Sequence, residues 1–142
     1  MQDASRARRI PALAHFRVWV RAAARGPTEV TVRLVPVAEA RSLNLAFRGK
    51  DHPTNVLTFA YGAGLGDIVL CPSVIAHEAR EQGKALQAHY AHLTVHAILH
   101  LRGFDHERDA DATRMERAEI RILKQLGLAN PYIVAADRRP VQ

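Results

Sequence analysis

The chain has 142 residues, 48% hydrophobic and 24% charged, a composition that excludes a disordered or fibrous protein and suits one globular domain with one core. One cysteine, Cys71, excludes an intrachain disulfide and fits a reducing compartment. A net charge of +6, built on 17 arginines and 3 lysines, turns the expectation toward a polyanionic partner, nucleic acid above all.

Residues 1–11 read as a basic arm that frays, opening on Met1-Gln2-Asp3-Ala4-Ser5-Arg6 without the apolar segment of a secretion signal. Ala12 to Ala24 has Leu13, Phe16 and Val20 at helical spacing and is broken by Gly26-Pro27. Glu29 to Val35 alternates and is β-branched, so a strand is expected there. Pro36 opens a second predicted helix, Val37 to Phe47, with Leu43 and Phe47 facing inward, followed by a polar loop over Arg48 to Pro53. Asn55 to Ala60 and Asp67 to Cys71 read as strands of a hairpin across the turn Gly62-Ala63-Gly64-Leu65-Gly66. Those glycines precede a strand rather than a helix, which is the wrong context for a phosphate cradle. Pro72 to Gln82 reads as a helix stopped by Gly83. Leu86 to Leu101 is a helix apolar on nearly all sides, hence central, yet too short and too histidine-rich to span a membrane. Glu107 to Leu126 is an amphipathic last helix stopped by Gly127, and residues 137–142 read as a frayed tail. Early strands and clustered helices indicate a single α+β domain over 1–142: a small mixed sheet packed with about five helices around a buried histidine-bearing one.

The segment His96-Ala97-Ile98-Leu99-His100-Leu101-Arg102-Gly103-Phe104-Asp105-His106 follows H-x-x-x-H-x-x-G-x-x-H. Helical residues four apart share a face, roughly 5–6 Å from each other, so His96 and His100 can grip one metal ion. Gly103 can end the helix in a left-handed conformation, and the reversal brings His106 back as a third ligand. Three imidazoles with an open fourth position describe a catalytic zinc site, although imidazoles also accept nickel and other transition metals. His92–His96 is a rival pair at the same spacing, but it lacks the following glycine and third histidine; His89 and His92 read as satisfied core histidines. Asp105 is expected either to orient a ligand histidine or to cap the last helix.

The spacing matches that of metzincin proteases, but Ala97 stands where those enzymes carry their glutamate base, so peptide hydrolysis by that route is disfavoured. Zinc can still acidify water and polarise a phosphoryl oxygen, and Arg48 offers a planar fork for phosphate beside Gly49 and Lys50.

Taken together, His96–His106 resembles the H-G-x-L-H-L-x-G-Y-D-H signature of the bacterial YbeY family of rRNA maturation factors. Arg48–Phe59 resembles that family's R-x-K-D-x-P-T-N-V-L-S-F segment, and Gly66–Leu70 its third recurrent segment. The resemblance covers roughly residues 28–127. It implies a zinc-dependent, single-strand-specific endoribonuclease of the cytoplasm, acting in 16S rRNA 3′-end maturation and late 30S ribosome quality control. It carries over His96, His100 and His106 as zinc ligands and Arg48 as the catalytic or RNA-gripping residue. The chain departs at Ala97 for Gly, Phe104 for Tyr and Thr58 for Ser, and only the tyrosine hydroxyl is a chemical loss. Expected partners are single-stranded RNA and the small ribosomal subunit, with no membrane. The general base is left open between zinc-activated water and attack by an RNA 2′-hydroxyl. The competing reading is a non-enzymatic, zinc-stabilised ribosome assembly factor that binds RNA.

Overall fold

A computed structural model describes residues 1–5, 7, 9–62, 64–104 and 107–133. The elements run β1 (Gln2–Asp3), α1 (Leu13–Ala23), β2 (Glu29–Leu34), α2 (Val37–Arg48), β3 (Val56–Gly62), β4 (Leu65–Leu70), α3 (Pro72–Glu81), α4 (Leu86–Leu101) and α5 (Asp109–Gln125). The sheet order is β1-β2-β4-β3, with β1, β2 and β4 parallel and β3 antiparallel to β4. The expected α+β architecture, a mixed sheet with five helices, is what the chain adopts.

Strand β4 explains the layering. It lies between β2 and β3, and Ile68, Val69 and Leu70 are all buried. Its alternate side chains serve two cores: Ile68 and Leu70 join Phe16, Leu34, Ile98 and Leu123 in the larger one, whereas Val69 joins Val35, Ala40 and Leu57 in the smaller. A strand covered on both faces reads as a continuous apolar run rather than an alternating one, as I-V-L does here. The larger core holds α4, which contacts α1, α3, α5, β3 and β4. Buried positions occur all around this helix, from Tyr90 and Ala91 to Ile98 and Leu99, as its unpatterned hydrophobicity predicts. No helix among the described residues is long and apolar enough to cross a membrane.

The structure differs from the sequence reading at the N-terminus. Within the arm expected to fray, Gln2 and Asp3 pair with Arg33 and Leu34 on the outer edge of β2, and the Ala4 N–H donates to the Leu34 carbonyl at 2.8 Å. Nothing in a two-residue polar segment signals a strand; it forms because β2 presents an unpaired edge of backbone donors and acceptors. The tail residues 137–142 lie outside the described residues.

Close approach of α4 to the sheet depends on Gly66. A β-carbon there would sit 2.5 Å from the Phe59 carbonyl oxygen and 2.8 Å from the Leu101 Cδ2. The end of α4 that bears His100 therefore rests directly on the hairpin.

Candidate active site

The last two turns of α4, the length of β3 and the C-terminus of α2 enclose a cleft of about 830 Å³. His96 and His100 open onto it from α4, Arg48 from α2 and Asn55 from the entry to β3. Glu107 is the one carboxylate among the described lining residues. Residues from opposite halves of the chain meet because β3 packs against α4 and the end of α2 opens onto the same cleft.

The two imidazoles stand as one-turn spacing dictates, with ring centroids 4.9 Å apart and planes at 79°. The rival pair is less close: the His92 and His96 centroids are 6.4 Å apart, and His92 is not among the cleft's lining residues. His106, the third expected ligand, and Asp105 lie outside the described residues. Among the described residues no set of three ligating side chains forms. The helix does end as the glycine predicts: Gly103 has φ 93°, and the Phe104 N–H donates to the Leu99 carbonyl at 3.0 Å. Phe104 then lies under two guanidinium groups, Arg102 at 5.1 Å and Arg114 at 5.8 Å from its ring centroid, contacts that need no hydroxyl.

Behind His96 is a carboxylate to which the sequence reading assigned no role. Glu119 of α5 is fully buried. Its Oε1 accepts from His92 Nε2 at 2.8 Å and from His96 Nδ1 at 3.1 Å, and its Oε2 accepts from the Tyr132 hydroxyl at 2.7 Å. Burial alone would raise this carboxyl's pKa, but the hydrogen bonds from His92 and His96, the His96 charge and the Tyr132 hydroxyl outweigh it and bring the pKa down to about 2. An ionised carboxylate only accepts, so the His96 proton facing it sits on Nδ1, and in the neutral ring the lone pair belongs to Nε2. A histidine with one nitrogen held by a carboxylate and the other basic is the form suited to ligating a metal.

A second buried-side network ties the cleft to α3. Asn55 Nδ2 donates to Glu78 Oε1 at 3.0 Å, and His89 Nε2 donates to the same oxygen at 2.9 Å. Burial raises the Glu78 pKa, while His89 and Asn55 lower it by more, so the group is held below the ordinary carboxylate range. His89 and His92 are thus each held by a carboxylate at Nε2 only; contrary to the expectation of satisfied core histidines, the buried Nδ1 of each has no hydrogen-bond partner among the described residues. His77 and Glu81 form only an exposed pair one helical turn apart.

Arg48 is the last residue of α2, and Gly49, with φ 69°, turns the chain away immediately after it. The loop beyond is anchored by buried Asn44, whose Nδ2 donates to the His52 carbonyl at 2.8 Å, and by an Arg41–Asp51 pair at 2.7 Å on the surface. Arg48 is exposed and makes no hydrogen bond or ion pair with the described residues. Lys50 is also exposed but does not line the cleft.

The residues present fit a divalent transition metal: two imidazoles one turn apart face one cleft, and a dedicated carboxylate sets the tautomer of one of them. The sequence signal for Glu119 was available. In α5 the buried positions are Met115, Ala118, Glu119, Ile122 and Leu123, so a carboxylate interrupts an apolar stripe of helical period. Tyr132 carried no comparable signal, since it follows Gly127 in a segment without periodicity.

A family model described as Endoribonuclease YbeY matches residues 10–127. Curated proteins named Endoribonuclease YbeY are similar to the chain. One from Azoarcus sp. is 56% identical over 128 residues, covering 82% of this chain. One from Aromatoleum aromaticum is 56% identical over 127 residues, covering 87% of this chain and 82% of the relative. A third, from Thiobacillus denitrificans, is 50% identical over 137 residues, covering 93% of each. The chain spans about half (51%) of the Azoarcus relative's length. The solution structure of TM1509 from Thermotoga maritima superposes with a TM-score of 0.51 at 27% identity, covering 84% of this chain and 87% of that one.

Proposed function

The chain belongs to the YbeY family of endoribonucleases, and on that premise we propose that it is a zinc-dependent endoribonuclease that cuts single-stranded RNA in the cleft between α4, β3 and the end of α2. One observation carries the reading: His96, His100 and Arg48 open onto the same cleft although about a third of the chain separates Arg48 from the histidines.

In this reading His96, His100 and His106 hold the metal. The chemistry that such an ion supplies is Lewis acidity, toward a phosphoryl oxygen and toward water. The protein's own residues do the rest. Glu119 keeps the His96 proton on Nδ1. Arg48 spreads two N–H donors toward the phosphodiester and offsets the charge that accumulates as the phosphorus gains a fifth oxygen. Asn55, held by Glu78, fixes one wall of the cleft. Because Ala97 cannot move a proton, the site is matched to phosphoryl rather than peptide chemistry.

The substrate follows from charge and family together: ribosomal RNA on the small subunit, with trimming of the 16S 3′ end and surveillance of late 30S particles in the cytoplasm as the cellular task. The test is cleavage of a single-stranded RNA by protein of defined zinc content, beside His100→Ala and Arg48→Glu variants purified identically. The wild type should cleave with about one zinc per chain. His100→Ala should lose both zinc and cleavage, and Arg48→Glu should lose cleavage and keep zinc. A His100→Ala protein with a full equivalent of zinc would remove that ligand from the site. Zinc-loaded wild type without cleavage would leave a metal-stabilised RNA-binding assembly factor as the better description.

A further inference from the structure

We propose that Phe47 is a stacking platform for one unpaired nucleobase, adjacent to the phosphate held by Arg48; this rests on the ribonuclease reading above. Of the two α2 residues expected to face inward, Leu43 packs on the smaller core, but Phe47, in the last turn, is 65% exposed and lines the cleft. Its ring is nonetheless held. Phe59 of β3 meets it edge to face, with centroids 4.9 Å apart and planes at 73°, and Phe59 itself packs on the smaller core. A large apolar ring pinned on one side and open on the other is preorganised for a flat partner. Tyr61, 68% exposed on the same cleft, is fixed through its hydroxyl, which donates to Asp67 Oδ2 at 2.9 Å, and offers a second ring.

The chemistry beside the ring identifies the occupant. Phe47 precedes Arg48 directly, so an aromatic face and a guanidinium fork project from one helix end into one cleft, on a chain of net charge +6. A ligand with a flat apolar face and an anionic group one unit away satisfies both, and a nucleotide within a strand is such a ligand. An apolar peptide would use the ring and leave the arginine unmatched. Stacking is indifferent to base identity but needs a base whose face is not already covered, as in a duplex it is. The platform therefore gives a physical cause for single-strand preference that the metal ligands and Arg48 do not supply, since phosphates are common to both forms of RNA.

The experiment measures binding of a short, uncleavable 2′-O-methyl RNA single strand, and of the same strand with an abasic position moved through it. Phe47→Ala should weaken binding of the intact strand about tenfold, within the range of one lost base–aromatic stack, while Phe47→Trp restores it. One abasic position should weaken the wild type by a similar factor and leave Phe47→Ala no weaker than before. Equal affinity of Phe47→Ala and wild type for the intact strand would overturn the proposal. So would an abasic penalty that persists undiminished in Phe47→Ala. A wild type that binds no single strand would overturn the ribonuclease reading, and this proposal with it, whereas cleavage with an indifferent Phe47 would overturn this one alone.

Discussion

Glu119 shows how much a single buried charge can decide. It accepts three hydrogen bonds, from His92, His96 and Tyr132, so its desolvation is compensated at both oxygens. Replacing it by glutamine preserves most of that geometry: the amide oxygen accepts from both histidines, and the amide N–H₂ can donate to the Tyr132 oxygen. What is lost is the charge that makes His96 a stronger ligand. Glu119→Gln should therefore weaken zinc affinity about tenfold while leaving the far-ultraviolet spectrum unchanged, as outer ligand partners elsewhere do. Equilibrium competition against a zinc chelator reads the effect, and unaltered affinity would reduce Glu119 to a packing role. The residue was legible in part. A glutamate on the apolar face of α5 is an anomaly visible in the spacing, but its histidine partners lie 23 and 27 residues earlier on another helix, and no local pattern reports that. The expected third ligand, His106, belongs to the proposal and lies outside the described residues.

Elements were read best where a local cause sufficed. Helix α4 spans Leu86–Leu101, and the hairpin closes across the glycines as expected. Their contact was not readable, because Gly66 looks like a turn residue in the sequence and proves to be an interior position of β4 under Leu101. Gly66→Ala tests what the contact is worth. Its β-carbon would meet the Phe59 carbonyl oxygen, a backbone atom that cannot swing aside, as well as the tip of Leu101. The expected cost is about 1–3 kcal/mol, seen as a lower thermal midpoint by calorimetry. Since Leu101 follows His100, zinc affinity should fall in the same variant; a stable protein with full affinity would show that the hairpin yields at no cost. Strand β1 marks the opposite limit: two polar residues form a strand only because a distant edge is available.

At the scale of the whole molecule, charge makes its own prediction. The +6 balance should draw an RNA strand to the protein through phosphates, and counterion release makes such binding salt-dependent. The logarithm of affinity for a single strand should fall linearly with the logarithm of salt concentration, by about 0.7 for each phosphate engaged. Arg48→Ala should make that slope shallower by about 0.7 if its fork holds one phosphate; an unchanged slope in a salt titration would place Arg48 off the backbone path. What the sequence determined by itself is everything with a local cause. Helical spacing puts His96 and His100 on one face, a glycine ends their helix, and composition makes the domain basic. Only the tertiary structure decided which residues share the cleft, because burying α4 packs α5 and the hairpin against it, and α2, seated on the smaller core, opens its end onto the same cleft. That packing delivers Arg48, Phe47 and Glu119 to the histidines from positions whose sequence distance carries no information about contact.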